Sequence, residues 1–332
     1  MTILRSLLCI FVLGGVAACA PRGVPQIIPL NDAASVTRVY VAALRDRDTG
    51  LSSFGADRTT EMAYLHTDIS IPPSHVSGEI EWPGRSEPDP LKHFGVIEAR
   101  RYPAEQSFFE RLRQHEAPAV MIFVHGYNVN PAEAVYGMAQ MHHDYDQPVL
   151  PLAFLWPSAG DPLGYVYDRQ SALFARDQLV ALINDVHSKT GKPIVILAHS
   201  LGSFLTMEAM RQNDFASNRS AADMIGGVFL MSPDLEPDVF EVQIDALDRV
   251  PENFVVLAAK KDPALNFSSL ITGKRPRVGQ ITDPEAWAER GVTVIDLSAF
   301  RETAGSAHSI AVTSPEAIEF LREYLEEIRP DL

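Results

Sequence analysis

From residue 119 onward the chain repeats one arrangement, and this limits the folds open to it. Short apolar runs at 119–124, 149–155, 193–198, 224–231, 253–259 and 292–297 are bounded by glycine, proline and polar clusters, as buried strands are. Between them lie helical patterns at about 131–143, 168–189, 201–212, 238–247 and 314–327. In the second, Leu173, Leu179, Leu182, Ile183 and Val186 recur at helical spacing and predict a face packed on a sheet. Strands alternating with such helices predict an α/β domain with a mostly parallel sheet covered on both sides. Three earlier runs, at 36–43, 62–71 and 94–99, have no helices between them. They predict antiparallel strands at one edge.

With 332 residues, 46% of them hydrophobic, the chain can bury one large core. Its formal charge of −15 repels phosphate backbones, and no basic stripe interrupts it, so nucleic acid is not an expected partner. Residues 1–18 have a different composition: Arg5, then an apolar run from Leu7 to Ala18. The run falls short of the roughly 20 residues that span a bilayer as a mature helix, so it reads as an export signal. Its end, V-A-A-C, resembles the bacterial lipobox and predicts removal of 1–18 and a lipid on Cys19. Ala20, where aspartate would favour the inner membrane, points to an outer-membrane or periplasm-facing envelope lipoprotein. Residues 19–34, with three prolines, are expected as a flexible tether to a domain at 35–332. The only cysteines are Cys9 and Cys19, which excludes internal disulfides, a cysteine nucleophile and thiolate metal sites from the folded part.

The stretch V-I-L-A-H-S-L-G-S, 195–203, carries the chemistry. A strand ends at Ala198 and a helix begins at Leu201, with a serine on the turn and small residues two positions to either side. This is the pattern of a nucleophile elbow, here with alanine in place of the first glycine. Ser200 needs a base to take its proton and an acid to orient that base. Only His308 among the histidines follows Ser200, in a loop after the last strand. Two later strands end in candidate acids: Asp262, in the usual position and preferred, and Asp234, one strand earlier, as the alternative. The loop H-G-Y-N-V-N after the strand at 119–124 suits an oxyanion hole, with the Tyr127 N–H beside that of Leu201. His125 reads as a satisfied core histidine, Trp156 as core or acyl-pocket lining, and Asp168-Arg169 as an ordinary helix N-terminal pair. His142-His143-Asp144 reads as a solvated helix end, because adjacent helical residues point about 100° apart and ligate poorly together. No cofactor or metal is expected.

Taken in order, V-H-G-Y-N, F-L-W-P-S-A-G, Y-V-Y-D-R-Q, H-S-L-G, S-P-D and D-P-A-L resemble a bacterial group of α/β-hydrolase proteins, esterase- and lipase-like and largely of unknown function. The resemblance covers about 35–330. It implies the α/β-hydrolase fold, an acyl-hydrolase site at Ser200 and His308, and Asp262 as the acid. Only about twenty residues separate the strands at 224–231 and 253–259, so a cap there is minimal and the site rather open. The expected activity is hydrolysis of carboxylic esters, lipids among them, through an acyl-enzyme. Phospholipase, thioesterase and acyltransferase reactions use the same site, and a partner-binding envelope lipoprotein without catalysis is the rival of another class. Oligomeric state is not legible.

Overall fold

The computed structural model describes residues 22–45, 55–216, 220–300 and 307–328; the expected signal and Cys19 lie outside them. In chain order the elements are β1 (Ser35–Arg45), β2 (Arg58–Ile71), β3 (Gly95–Arg101), α1 (Glu105–Gln114), β4 (Val120–Val124), α2 (Pro131–Tyr145), β5 (Leu150–Leu155), α3 (Tyr165–Thr190) and β6 (Ile194–His199). They continue as α4 (Leu201–Ala216), β7 (Ile225–Met231), α5 (Pro237–Asp245), β8 (Asn253–Ala258), α6 (Pro263–Ile271), β9 (Val292–Asp296), α7 (Ile310–Thr313) and α8 (Pro315–Ile328). The nine strands form one sheet in the order β3-β2-β1-β5-β4-β6-β7-β8-β9. β1 pairs antiparallel with β2, and β2 with β3. β1 runs parallel to β5, and every pair beyond is parallel.

The central strands are apolar on both faces because both are covered. Ile122 and Val124 of β4 join a core with α1, α3, α4 and α5, while Met121 and Phe123 point to the opposite core with α2, α7 and α8. From β4 the chain moves to β5 on one side, then crosses to β6 on the other. Right-handed crossovers in opposite directions put α2 and α3 on opposite faces and open a crevice at the carboxyl ends of β4 and β6.

The nine strands and five longer helices follow the apolar pattern, with differences in α3 and α1. Leu173 is 45% exposed. The sheet-facing stripe of α3 runs through Ala172, Ala175, Leu179, Leu182, Ile183 and Val186, so small alanines, one position round from Leu173, seat the helix. The charged sequence of α1 hides its short apolar stripe of Phe108, Phe109 and Leu112. Only α5 lies between β7 and β8, whereas a longer excursion carrying α6 separates β8 from β9.

The described part of the expected tether lies on the domain. Ile28 is buried, its N–H donates to the Val96 carbonyl at 3.0 Å, and the Val96 N–H donates to Gln26 at 2.8 Å. Gly23 lies so close to Trp82 that a Cβ would meet the ring at 2.4 Å. No helix among the described residues is long and apolar enough to cross a membrane.

Candidate active site

β6 stops at His199 and α4 starts at Leu201, so one residue turns the chain. That residue, Ser200, has φ 53°, a left-handed conformation that costs a non-glycine residue roughly 1–3 kcal/mol. Neighbouring backbone over-determines it. The Ser200 N–H donates to Met231 at 2.9 Å, and its carbonyl accepts from the N–H of Asp234 at 3.1 Å and of Ser203 at 3.0 Å. The turn also forces two glycines. A Cβ on Gly202 would stand 2.3 Å from the Val124 oxygen, and one on Gly126 would stand 3.0 Å from the Ser200 Cβ.

His308 sits in a short 3-10 turn, Ala307–Ser309, that leads into α7. Its Nδ1 lies 2.8 Å from Asp262 Oδ2. The other Asp262 oxygen accepts from the Leu265 N–H at 2.9 Å and caps α6, so the fully buried carboxylate is shared between a helix end and the imidazole. The His308 carbonyl accepts from His199 Nε2 at 3.0 Å, and the two rings lie 4.7 Å apart. Burial, followed by the proximity of His308, pushes His199 down to about 4. His199 is therefore neutral near pH 7 and spends its Nε2–H on anchoring the His308 backbone beside the elbow.

Asp234 is engaged elsewhere. Its carboxylate takes Arg277 Nε at 3.1 Å, the Tyr165 hydroxyl at 3.0 Å and the Ser268 hydroxyl at 2.8 Å. Arg277 is fully buried and also approaches Glu236 at 3.4 Å. Of the two aspartates, Asp262 faces His308, while Asp234 neutralises a buried arginine and supports the elbow through its N–H. The burial and the competing partners that separate them come from segments far apart in the chain.

The H-G-Y-N-V-N loop follows β4, next to β6 in register Val124–Ala198, which sets Tyr127 and Leu201 on adjoining turns. His125 is buried, and burial lowers it to about 3. Its neutral ring stacks on Trp156 at 4.9 Å, and Nδ1–H donates to the Gly126 carbonyl at 2.9 Å. A trans peptide points its N–H opposite to its C=O, so this bond turns the Tyr127 N–H away from the buried ring. No described residue accepts from that N–H. Leu201 N–H, first in α4, lacks an acceptor one turn earlier in the helix. His125 Nε2 is buried without a partner among the described residues. It is thus a core histidine satisfied on one nitrogen. Trp156 is wholly core, its indole N–H donating to the His125 carbonyl at 2.8 Å.

Asp168 differs from a surface helix-end residue. It is fully buried and accepts from the Asn128 N–H at 3.0 Å, the Ser158 hydroxyl at 2.6 Å and the Ala159 N–H at 2.7 Å. Burial raises its pKa, against the lowering effect of these bonds. Buried Arg45 donates to the Val129 carbonyl at 3.2 Å, and Arg22 donates to the Asn128 carbonyl at 2.8 Å. The Y-V-Y-D-R-Q string was the sequence signal for Asp168; for Arg22 and Arg45 there was none.

His142-His143-Asp144 is not a solvated helix end. His142 Nε2 donates to the Val149 carbonyl at 3.0 Å, and the Asp144 side chain is 3% exposed. Asp144 accepts from His75 Nε2 at 2.9 Å, while His75 Nδ1 contacts Glu81 at 3.0 Å. His75, His143 and Asp144 have ligand atoms within 4.8 Å of one another. Burial lowers the His75 pKa, but its hydrogen bonds to Asp144 and Glu81 and their charges outweigh that and raise it to about 9. His75 thus bridges Glu81 and Asp144 in an ion cluster that joins the segment between β2 and β3 to α2.

A family model described as alpha/beta hydrolase of unknown function (DUF900) matches residues 101–324. The chain belongs to that family. Its fold is similar to that of Aspergillus fumigatus lipase B, at 12% identity and TM-score 0.43, covering 68% of this chain and 59% of the lipase, so it spans little more than half of that protein. Similarity to a dienelactone hydrolase from Anabaena variabilis covers 81% of this chain and 93% of the other, at 11% identity and TM-score 0.43. For the peroxisomal alpha-beta-hydrolase Lpx1 of Saccharomyces cerevisiae the figures are 90% and 91%, at 9% identity and TM-score 0.35. Comparison with the curated proteins finds no match.

Proposed function

We propose that this α/β hydrolase is a serine enzyme that cleaves carboxylic esters through an acyl-enzyme. The Ser200 Oγ attacks the ester carbonyl as His308 Nε2 takes its proton, and Asp262 holds His308 in the tautomer that leaves Nε2 free to accept. The Tyr127 and Leu201 N–H groups stabilise the oxyanion. On collapse the ester C–O bond breaks, and the alcohol leaves with the proton from His308. Water then attacks the acyl-serine, giving its proton to His308, and the carboxylic acid departs as Ser200 recovers its hydrogen. The observation that carries the reading is the His308–Asp262 contact of 2.8 Å, tied by His199 to a serine held at φ 53°.

The enzyme is further proposed to be exported and held at the bacterial envelope by a lipid on Cys19. A fluorophosphonate probe tests the chemistry. Wild type is expected to label and Ser200→Ala to remain unlabelled. Absence of labelling in both, or equal labelling of both, removes Ser200 as the nucleophile. An alcohol acceptor that outcompetes water would make the enzyme an acyltransferase on the same site.

A further inference from the structure

Two features meet on the sheet edge that carries Ser200. The first is where the described chain starts. The Arg22 guanidinium donates to the Asn128 side-chain oxygen at 2.7 Å, the Asn128 carbonyl at 2.8 Å and the Gly160 carbonyl at 2.7 Å, and pairs with Glu133. Asn128 follows Tyr127 directly, so this arginine is fastened to the loop of the proposed oxyanion hole. Cys19 is three residues away, and three residues reach at most about 11 Å even when fully extended. A lipid on Cys19 therefore holds this edge, and no other, close to the bilayer surface.

The second feature is apolar exposure on both flanks of the site. Leu163 is 92% and Val166 70% exposed, on either side of Tyr165, which packs edge-on against Tyr127 and bonds Asp234. Phe267, Leu270 and Ile271 are exposed on α6, the helix that Asp262 caps. Lys274 and Arg275, also exposed, follow Ile271 after two residues. Apolar side chains beside cationic ones fit a lipid interface, where the first enter the acyl boundary and the second meet headgroup phosphates. With a net charge of −15 the molecule as a whole gains nothing from anionic lipid, so attachment relies on the anchor and this rim.

We infer that the catalytic edge is the membrane-facing surface and that the substrate is an acyl ester resident in the bilayer that carries the anchor. The inference rests on the proposed lipid at Cys19 and on the proposed hydrolase site. The test uses the full chain, expressed with its own leader and reconstituted into phosphatidylethanolamine–phosphatidylglycerol vesicles that contain brominated acyl chains. Leu163→Trp puts a reporter on the rim. Phe215→Trp puts one near the far end of α4, about 22 Å along the helix from the elbow, where Phe215 is 92% exposed. Bromine is expected to halve, about, the emission of the first reporter and leave the second unchanged. Quenching of neither, or of both equally, overturns the inference, as does finding Cys19 unmodified by mass spectrometry. A blue-shifted rim reporter that bromine does not quench also overturns it, since the rim then meets protein.

A second arm compares substrates. Leu163→Ser with Leu270→Ser is expected to slow cleavage of a long-chain ester in these vesicles about tenfold and to leave soluble p-nitrophenyl acetate unchanged. Equal loss on both substrates counts against a rim acting at the bilayer. Rim quenching with no fluorophosphonate labelling would sink the hydrolase reading while the orientation stands.

Discussion

Ser200 sits where its backbone is strained, and the bonds that hold it there come from the end of β7 and from the first turn of α4. The two aspartates near it make opposite predictions. Asp262→Asn leaves an amide that cannot hold the same histidine tautomer, so kcat is expected to fall about ten-thousandfold with the fold intact. Asp234→Asn instead leaves fully buried Arg277 short of its carboxylate and is expected to cost about 3–5 kcal/mol of stability while sparing kcat of the folded fraction. Ester turnover and thermal denaturation of the two variants check this pair, and the reverse pattern would exchange their roles. The serine, the lone downstream histidine and the two acids were legible as residues. Which carboxylate remains for His308 was not, because it depends on Arg277, Tyr165 and Ser268 taking the other.

At the scale of elements, loops carry the proposed chemistry and buried charges hold the loops. Asp168 on α3 fixes the Asn128 N–H and, through it, the Tyr127 peptide at the end of β4. Asp168→Asn keeps the shape but loses charge-assisted bonds. It is expected to lower kcat about tenfold to hundredfold with KM little changed, whereas a purely structural effect would lower the folded fraction and leave kcat per active site alone. Steady-state kinetics normalised by active-site titration separates the two.

A second buried charge ties the segment between β2 and β3 to α2. His75 has a folded pKa of about 9 against an ordinary 6.5. Both folded and unfolded states are protonated below 6.5, where the cluster contributes in full; the contribution is lost as pH rises through about 9. The Tm of the wild type is expected to fall across that window, and His75→Gln is expected to start lower and lose this step. A wild-type Tm that rises through the same window would refute the protonated bridge. Spacing along α2 could not reveal this cluster, since His75 and Glu81 come from a different part of the chain.

At the scale of the whole molecule, one sheet puts the turns after β4, β6, β7 and β8 along a single edge, with the His308 turn brought to them by α7 and the last strand. The chain enters at the same edge through Arg22. Labelled palmitate supplied during expression is expected to appear on wild type and to be lost from Cys19→Ser; no label on wild type would leave the protein without its proposed anchor. By itself the sequence determined the alternation of strand and helix, the antiparallel edge, the turn at Ser200 and the chain order of the proposed serine, acid and histidine. These follow from local period and turn sterics, which neighbouring residues impose on one another. The tertiary structure alone decided the partner of each aspartate, the burial of Asp168, the stripe of α3, the His75 cluster and the path of residues 22–28. Each of these is a competition for one carboxylate, one carbonyl or one patch of core among groups far apart in sequence, and only the closed sheet brings the competitors within reach.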